Sequence, residues 1–335
     1  MTIDIHTHFI PPAFVADARA GRALDGIALR RQDNGDWLVH RQGYRYPASP
    51  EFFDVEARLR LMDRLAIDAS ILSLSPTLFF YWLEAPAAID FSRAANDSLA
   101  ALVAESDRLH GVAAVPLQDP GAASAELRRA VTGLGLRGVQ IGTTMEDTPL
   151  DDPRFDVFFA AAAELGVPVI LHPYYVGTRP HLADFYMTNL TGNPMETCIA
   201  ATRLVLSGFL DRHPALKVVL VHAGGFMPYQ IGRLDHGFRV RTETRAAIAS
   251  APSTYLRRFW YDTITHASTP LKFLVELVGK DRVMVGTDLP FDMADERFAS
   301  YLDAAAVAPD ALDAIRSGNA ASLFALARTQ RPPAV

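Results

Sequence analysis

The chain has 335 residues, half of them hydrophobic and 21% charged, and a formal net charge of -6. That balance suits a folded globular protein and argues against nucleic acid or an anionic membrane as partner, since either requires a basic face. Cys198 is the only cysteine, which excludes an intrachain disulfide; with neither a positive, apolar leader nor an apolar run of about 20 residues, the expected compartment is the cytoplasm and the expected partner a small molecule.

Short apolar runs alternate with stretches of helical spacing, the pattern of parallel βαβ units. Strands are expected at 3–8, 69–74, 111–116, 138–142, 168–172, 217–222, 259–263 and 282–287, and helices at 56–65, 91–105, 121–132, 155–165, 194–207 and 269–277. Eight such repeats predict an α/β fold, a distorted (β/α)8 TIM barrel over 1–335 as a single domain, a size ordinary for that architecture. An open doubly wound sheet uses the same elements but expects a glycine-rich phosphate turn after an early strand, and the sequence has none. Residues 14–49 break the alternation and read as a small insertion after strand 1. The irregular stretch 174–193 follows strand 5 and would overhang the end of the barrel where loops usually build the site.

In Ile3-Asp4-Ile5-His6-Thr7-His8, strand alternation assigns Ile3, Ile5 and Thr7 to a face toward the helices and Asp4, His6 and His8 to a face into the barrel. Two imidazoles at i and i+2 of a buried strand have little structural purpose, whereas paired nitrogen ligands suit a borderline cation. His172, His222 and Asp288 each end an apolar run: Val169-Ile170-Leu171-His172, Val219-Leu220-Val221-His222 and Val285-Gly286-Thr287-Asp288. Any one of them reads equally well as a hydrogen-bonded core or loop residue. Five titratable groups from four strand ends, converging on one barrel mouth, read as a metal site. His40, His110, His181, His213, His236 and His266 lack that context and read as structural.

These motifs, together with His172-Pro173, His222-Ala223-Gly224-Gly225, Gly286-Thr287-Asp288-Leu289-Pro290-Phe291 and Val115-Pro116-Leu117-Gln118-Asp119, resemble the amidohydrolase superfamily. More narrowly, the chain is similar to its amidohydrolase 2 branch, typified by the carboxymuconate-semialdehyde decarboxylases. By position, the resemblance implies that His6, His8, His172 and Asp288 bind the metal, with His222 as general base on water at the metal and Asp288 sharing the acid–base work. Arg45, in Gly43-Tyr44-Arg45-Tyr46-Pro47, is implied to bind a substrate carboxylate, and Arg239 or Arg241 to reach a neighbouring subunit's site in a homodimer. Binuclear members commonly bridge two ions with a carboxylated lysine at the end of strand 4. No lysine precedes Lys217 here and Gln140 stands in that region, so one divalent ion is expected, zinc before manganese.

Aromatic residues at Phe79-Phe80-Tyr81-Trp82, Tyr174-Tyr175 and Phe291 read either as core or as walls of a pocket for a flat unsaturated acid. Asp4 reads as an outer partner of a liganding histidine. The expected activity is non-oxidative decarboxylation of an aromatic acid or a carboxymuconate-semialdehyde-type substrate. The alternative is hydrolysis or hydration of a lactone, an amide or an activated C–C bond, because both reactions use the same activated oxygen. A scaffold that had lost catalysis would be expected to have lost one of the five site residues. Where the resembling decarboxylase carries a tryptophan after the proline, this chain has Tyr174, a departure that bears on the substrate.

Overall fold

Runs such as Val169-Ile170-Leu171 and Val218-Val219-Leu220 are apolar at every position, the pattern of strands covered on both faces. In the computed structural model, which describes residues 1–22, 26–33, 35–41, 45–174 and 180–326, they belong to eight parallel strands. These are β1 (Ile3–Phe9), β2 (Ala69–Leu74), β3 (Leu109–Gly111), β4 (Val139–Gly142), β5 (Pro168–His172), β6 (Lys217–Leu220), β7 (Phe259–Asp262) and β8 (Val283–Met284). They form two ladders, β1-β2-β3 and β8-β7-β6-β5-β4, so the chain has an α/β fold of parallel strands. Backbone bonds also run between the ladders. Ala113 N donates to Gly138 O at 2.8 Å, and Ile5 N and His8 N donate to Val285 O at 2.9 Å and Leu289 O at 2.8 Å.

The helices between strands start and stop on local chemistry. Asp54 and Asp119 accept from Ala57 N at 2.7 Å and Ala122 N at 2.9 Å, satisfying free donors at the starts of helices Val55–Arg64 and Pro120–Arg128. Helix Asp156–Leu165 ends at Gly166, whose φ of +67° a side chain would resist. The expected helices are present, and that at 91–105 begins earlier, at Ala85. Strand side chains divide between two buried clusters. Val169, Leu171, Val218 and Leu220 pack in the larger one with helix residues such as Leu204 and Leu274. Ile71, Val112, Ile170, Val219, Val221 and Met284 form the smaller one, with Ala320 and Phe324 from the C-terminal region.

Two expectations about strands are corrected. The third and eighth strands are shorter than 111–116 and 282–287. Beyond Gly111 only an isolated bridge joins Ala113 to Val139, and Pro116 has no N–H to extend a ladder. Beyond Met284, Thr287 N and Asp288 N both donate to His6 O, at 3.2 and 2.7 Å, which breaks the regular spacing. The alternation expected in β1 also fails. Asp4 to Thr7 of β1 stands opposite only Ser70 to Leu72 of β2, a bulge with one extra residue. Ile3 and Ile5 lie in the smaller cluster, with the C-terminal helix, rather than in the larger one that holds helix residues such as Leu204 and Leu274. Thr7 receives a bond from the buried guanidinium of Arg58, on helix Val55–Arg64.

Between β1 and β2 in sequence, the strands Ile27–Gln32, Gly35–His40 and Arg45–Pro47 form an antiparallel sheet that pairs with neither. Its Ile27, Leu38 and Tyr46 are buried in the larger cluster. After β5, the described part of the irregular segment holds the turns Pro180–Leu182 and Thr188–Gly192. Tyr175 lies outside the described residues. No helix among the described residues is long and apolar enough to cross a membrane.

Candidate metal centre

Four imidazoles and a carboxylate meet at the ends of β1, β5 and β6 and in the turn after β8. Ring centroids of His6, His8 and His172 are 4.9 to 5.1 Å apart, and the His222 ring lies 5.2 Å from those of His6 and His172. The Nε2 atoms of His8, His6 and His172 stand 2.9, 3.4 and 3.9 Å from Asp288 Oδ1, and His222 Nε2 stands 3.6 Å from Oδ2. Ligand atoms of His6, His172, His222 and Asp288 all lie within 4.8 Å of one another, a three-histidine, one-aspartate site for one divalent ion.

The hydrogen bonds show why such an ion fits. His6 Nδ1 faces Asp262 Oδ2 at 2.7 Å and His172 Nδ1 faces the Pro173 carbonyl at 2.6 Å, so each Nδ1 carries a proton and Nε2 is the nitrogen left to face an ion. His8 Nδ1 is 3.0 Å from Ser73 Oγ, whose single proton goes to Thr7 O at 3.1 Å. His8 Nδ1 is then the donor, and its Nε2 presents a lone pair set against a carboxylate oxygen. Nitrogens and a carboxylate oxygen facing one another at 2.9 to 3.9 Å leave a site that a cation between them would satisfy. Ligands held about 2.1 Å from one ion span such distances. His6 Nε2 and His172 Nε2 are buried with no protein partner.

Electrostatics agree with this reading for His8 and His172. Burial pushes His8 down to about 4 and His172 down to about 3, which keeps both neutral, as ligands must be. Burial acts in the same direction on His6, but the Asp288 and Asp262 carboxylates outweigh it and raise that group to about 10, so in the metal-free chain His6 is an imidazolium whose Nε2 proton an ion would have to displace. For Asp288 burial is again opposed, by the charge of His6 and bonds from the surrounding imidazoles, and its carboxyl lies well below the ordinary value.

His222 and Asp288 both sit on strained backbone, at φ +52° and +63°. Asp262, at the end of β7, supports the first strain by accepting from the N–H groups of His222 at 2.9 Å and Ala223 at 2.7 Å while also holding the His6 ring. The glycines that follow are required. At Gly225 (φ +61°) an added Cβ would lie 2.1 Å from Pro194 O, and at Gly224 2.8 Å from the Tyr261 ring. Asp262 was missed among the candidate residues, although Phe259-Trp260-Tyr261-Asp262 repeats the signal of an apolar run ending in a titratable group. The outer-partner role read for Asp4 belongs to Asp262. The Asp4 carboxylate accepts from His6 N and from the Thr287 hydroxyl instead, because the bulge turns it away from the rings.

Two cavities meet at Asp288. One, of about 60 Å³, is lined by Arg45, Tyr46, His172, Tyr174, Asp288 and Phe291. The other, of about 340 Å³, includes His222 and Asp288 in a largely apolar lining. Arg45, Tyr174 and Phe291 are thus gathered beside the imidazoles, and the Phe291 ring lies 5.2 Å from that of His8. Arg239 is exposed near the end of helix Met227–Val240 and lines neither cavity, and Arg241 pairs with Glu243. Phe79, Phe80 and Tyr81 are buried in the larger cluster, in keeping with the core reading. Gln140 Nε2 donates to Leu74 O at 2.9 Å.

The amidohydrolase family model matches residues 3–326. The chain is 31% identical to a 2-amino-3-carboxymuconate-6-semialdehyde decarboxylase of Dictyostelium discoideum, over 88% of this chain and 83% of that one. It is 36% identical to a gamma-resorcylate decarboxylase of Rhodococcus jostii, over 82% and 88%. Among solved structures, it resembles 5-carboxyvanillate decarboxylase from Sphingomonas paucimobilis with a TM-score of 0.83 and 28% identity, over 97% and 99% of the two chains. A dihydroxybenzoic acid decarboxylase from Polaromonas, solved with bound manganese and 2-nitroresorcinol, matches with a TM-score of 0.76 and 26% identity, over 98% of each chain. With its imidazoles and aspartate gathered as the sequence motifs imply and the family model spanning nearly its whole length, the chain belongs to the amidohydrolase family.

Proposed function

We propose that this protein is a metal-dependent decarboxylase that removes carbon dioxide, without an oxidant, from an aromatic carboxylic acid. The observation that carries the reading is that Arg45, the one cation among the described residues of the small cavity, faces the same space as His172 and Asp288. A guanidinium there can hold a carboxylate bidentately beside the ion site. The relatives reported above are decarboxylases by name, which supports this reaction over hydrolysis.

His6, His8, His172 and Asp288 would hold the metal, and His222 would move the proton. When bound, the divalent ion supplies positive charge that orients the acid's oxygens and takes up negative charge developing on them. His222 gives a proton to the ring carbon bearing the carboxylate, and a C–H bond forms from the ring's π electrons. The C–C bond then breaks, its electron pair returns to the ring, and carbon dioxide leaves. Tyr174 and Phe291 would flank the ring. The bonds linking the two ladders at both edges support a closed, distorted (β/α)8 barrel over 1–335, with 14–49 as the insertion. A homodimer lending Arg239 to its partner, a cytoplasmic location and zinc in preference to manganese belong to the same reading; a relative with bound manganese makes that metal its rival.

The test combines elemental analysis with a screen of aromatic acids for carbon dioxide release. About one zinc or manganese per chain with carbon dioxide evolved supports the proposal; products formed without carbon dioxide turn it toward a hydrolase. The variants His8→Ala and His222→Ala decide the ligand set. We expect His8→Ala to lose metal and His222→Ala to keep it while losing activity. The reverse pattern would exchange their roles, as the tight grouping of His222 with His6, His172 and Asp288 allows.

A further inference from the structure

We infer that the substrate is an aromatic acid whose ring carries an extended apolar substituent, and that the substituent occupies the larger cavity. This rests on the decarboxylase reading above. The two cavities share Asn189, Asn193 and Asp288, so one molecule can span both, with its reacting carbon at the metal centre. They differ in size and chemistry. The cavity holding Arg45, at about 60 Å³, has room for little beyond the carboxylate end of an acid. The other, at about 340 Å³, is more than twice the cavity of ~150 Å³ that takes up benzene.

Its walls specify what fills that space. Phe226, Tyr229, Ile264, Phe273, Leu274 and Met293 contribute apolar surface, and the rings of Tyr229 and Phe273 pack edge to face at 6.2 Å. Its described lining is mostly apolar, and apart from the site residues His222 and Asp288 its one titratable side chain at ordinary pH is His266. Phe226 and Phe273 are each 41% exposed, a costly state for phenylalanine rings that a bound apolar group would relieve. His222 and Asp288 themselves line the cavity, and this continuity with the reacting groups favours a part of the substrate as occupant.

The test uses manganese-loaded protein and two series of 2-hydroxybenzoates bearing hydrogen, methyl, propyl or pentyl, one series substituted at C4 and the other at C6. For each acid, kcat/KM for carbon dioxide release and the Kd from calorimetry are measured. Each buried methylene contributes about a fourfold gain. We expect at least one series to rise by that factor per carbon until the cavity fills, in both measurements, and the ratio of pentyl to unsubstituted acid to collapse in Phe273→Asp. Series that stay flat while the unsubstituted acid is turned over overturn this inference and leave the decarboxylase reading intact. A Kd that improves with chain length while no acid is decarboxylated upholds the cavity and sinks the reaction. Flat series together with a dimer that Tyr229→Asp dissociates would identify the cavity mouth as a subunit interface, and the inference fails.

Discussion

Asp262 illustrates how one buried carboxylate organises a metal centre without being among the groups expected to bind the ion. It faces His6 Nδ1 at 2.7 Å and accepts from three backbone N–H groups, those of His222, Ala223 and Ile264. Burial alone would raise its pKa; the charge and bond of His6 reverse that and hold it below the ordinary carboxylate value. An ionised Asp262 keeps a proton on His6 Nδ1 and aims Nε2 at Asp288. Asp262→Asn removes the charge and offers an NH2 group where two acceptors are needed. Loss of such an orienting partner lowers metal affinity by about 10- to 100-fold. Titration of the apo variant with manganese, followed by calorimetry, checks this; wild-type affinity would mean that the imidazole is aimed by packing alone.

At the scale of elements, the antiparallel sheet formed by Ile27–Gln32, Gly35–His40 and Arg45–Pro47 carries Arg45 to the small cavity, and its own stability depends on a buried histidine. His40 is 4% exposed and packs edge-on against Trp82 at 5.0 Å. Burial, aided by the neighbouring Arg41, pushes its pKa from 6.5 down to about 4. The unfolded chain therefore takes up a proton near pH 6.5 that the folded chain refuses until about pH 4. Between those values the unfolded state binds more protons, so stability falls as pH falls. The contribution is on the order of 3 kcal/mol across the window. Urea unfolding at pH 7 and pH 4.5 should show a smaller acid loss in His40→Phe than in the wild type; equal losses would assign the effect to other groups.

At the scale of the whole molecule, the smaller cluster joins strands from both ladders to the C-terminal helix Asn319–Leu323 and Phe324. Asn319 Nδ2 fastens that helix to the start of β8 through Lys280 O at 2.7 Å and Val283 O at 2.8 Å. Phe324 is 1% exposed among Ile3, Ile5, Met284 and their neighbours. Truncating such a ring leaves a cavity and costs about 3–5 kcal/mol. Phe324→Ala should lower the urea midpoint by a corresponding amount while leaving metal stoichiometry unchanged. A loss under about 1 kcal/mol, well short of that range, would mean that the C-terminal segment is not part of the core.

The order of strands and helices, the apolar strand runs and the titratable residues at the ends of four of them were legible in the sequence, because periodicity and capping are local and each needs only a few neighbouring residues. So were His6, His8, His172, His222 and Asp288 as a group, since an ionisable side chain ending a buried strand has few structural uses. The bulge in β1 was not, because register is set by the partner strand, and one extra residue between Asp4 and Thr7 overturned the alternation that the sequence implies. Nor was the pairing of His6 with Asp262, 256 residues apart, or the separation of the Arg45 cavity from the larger apolar one. Local sequence determined which chemical groups this protein has and roughly where each strand ends. Only the packing of distant segments decided which way those groups point, what holds them there, and how much space lies beside them, since each depends on contacts between residues far apart in the chain.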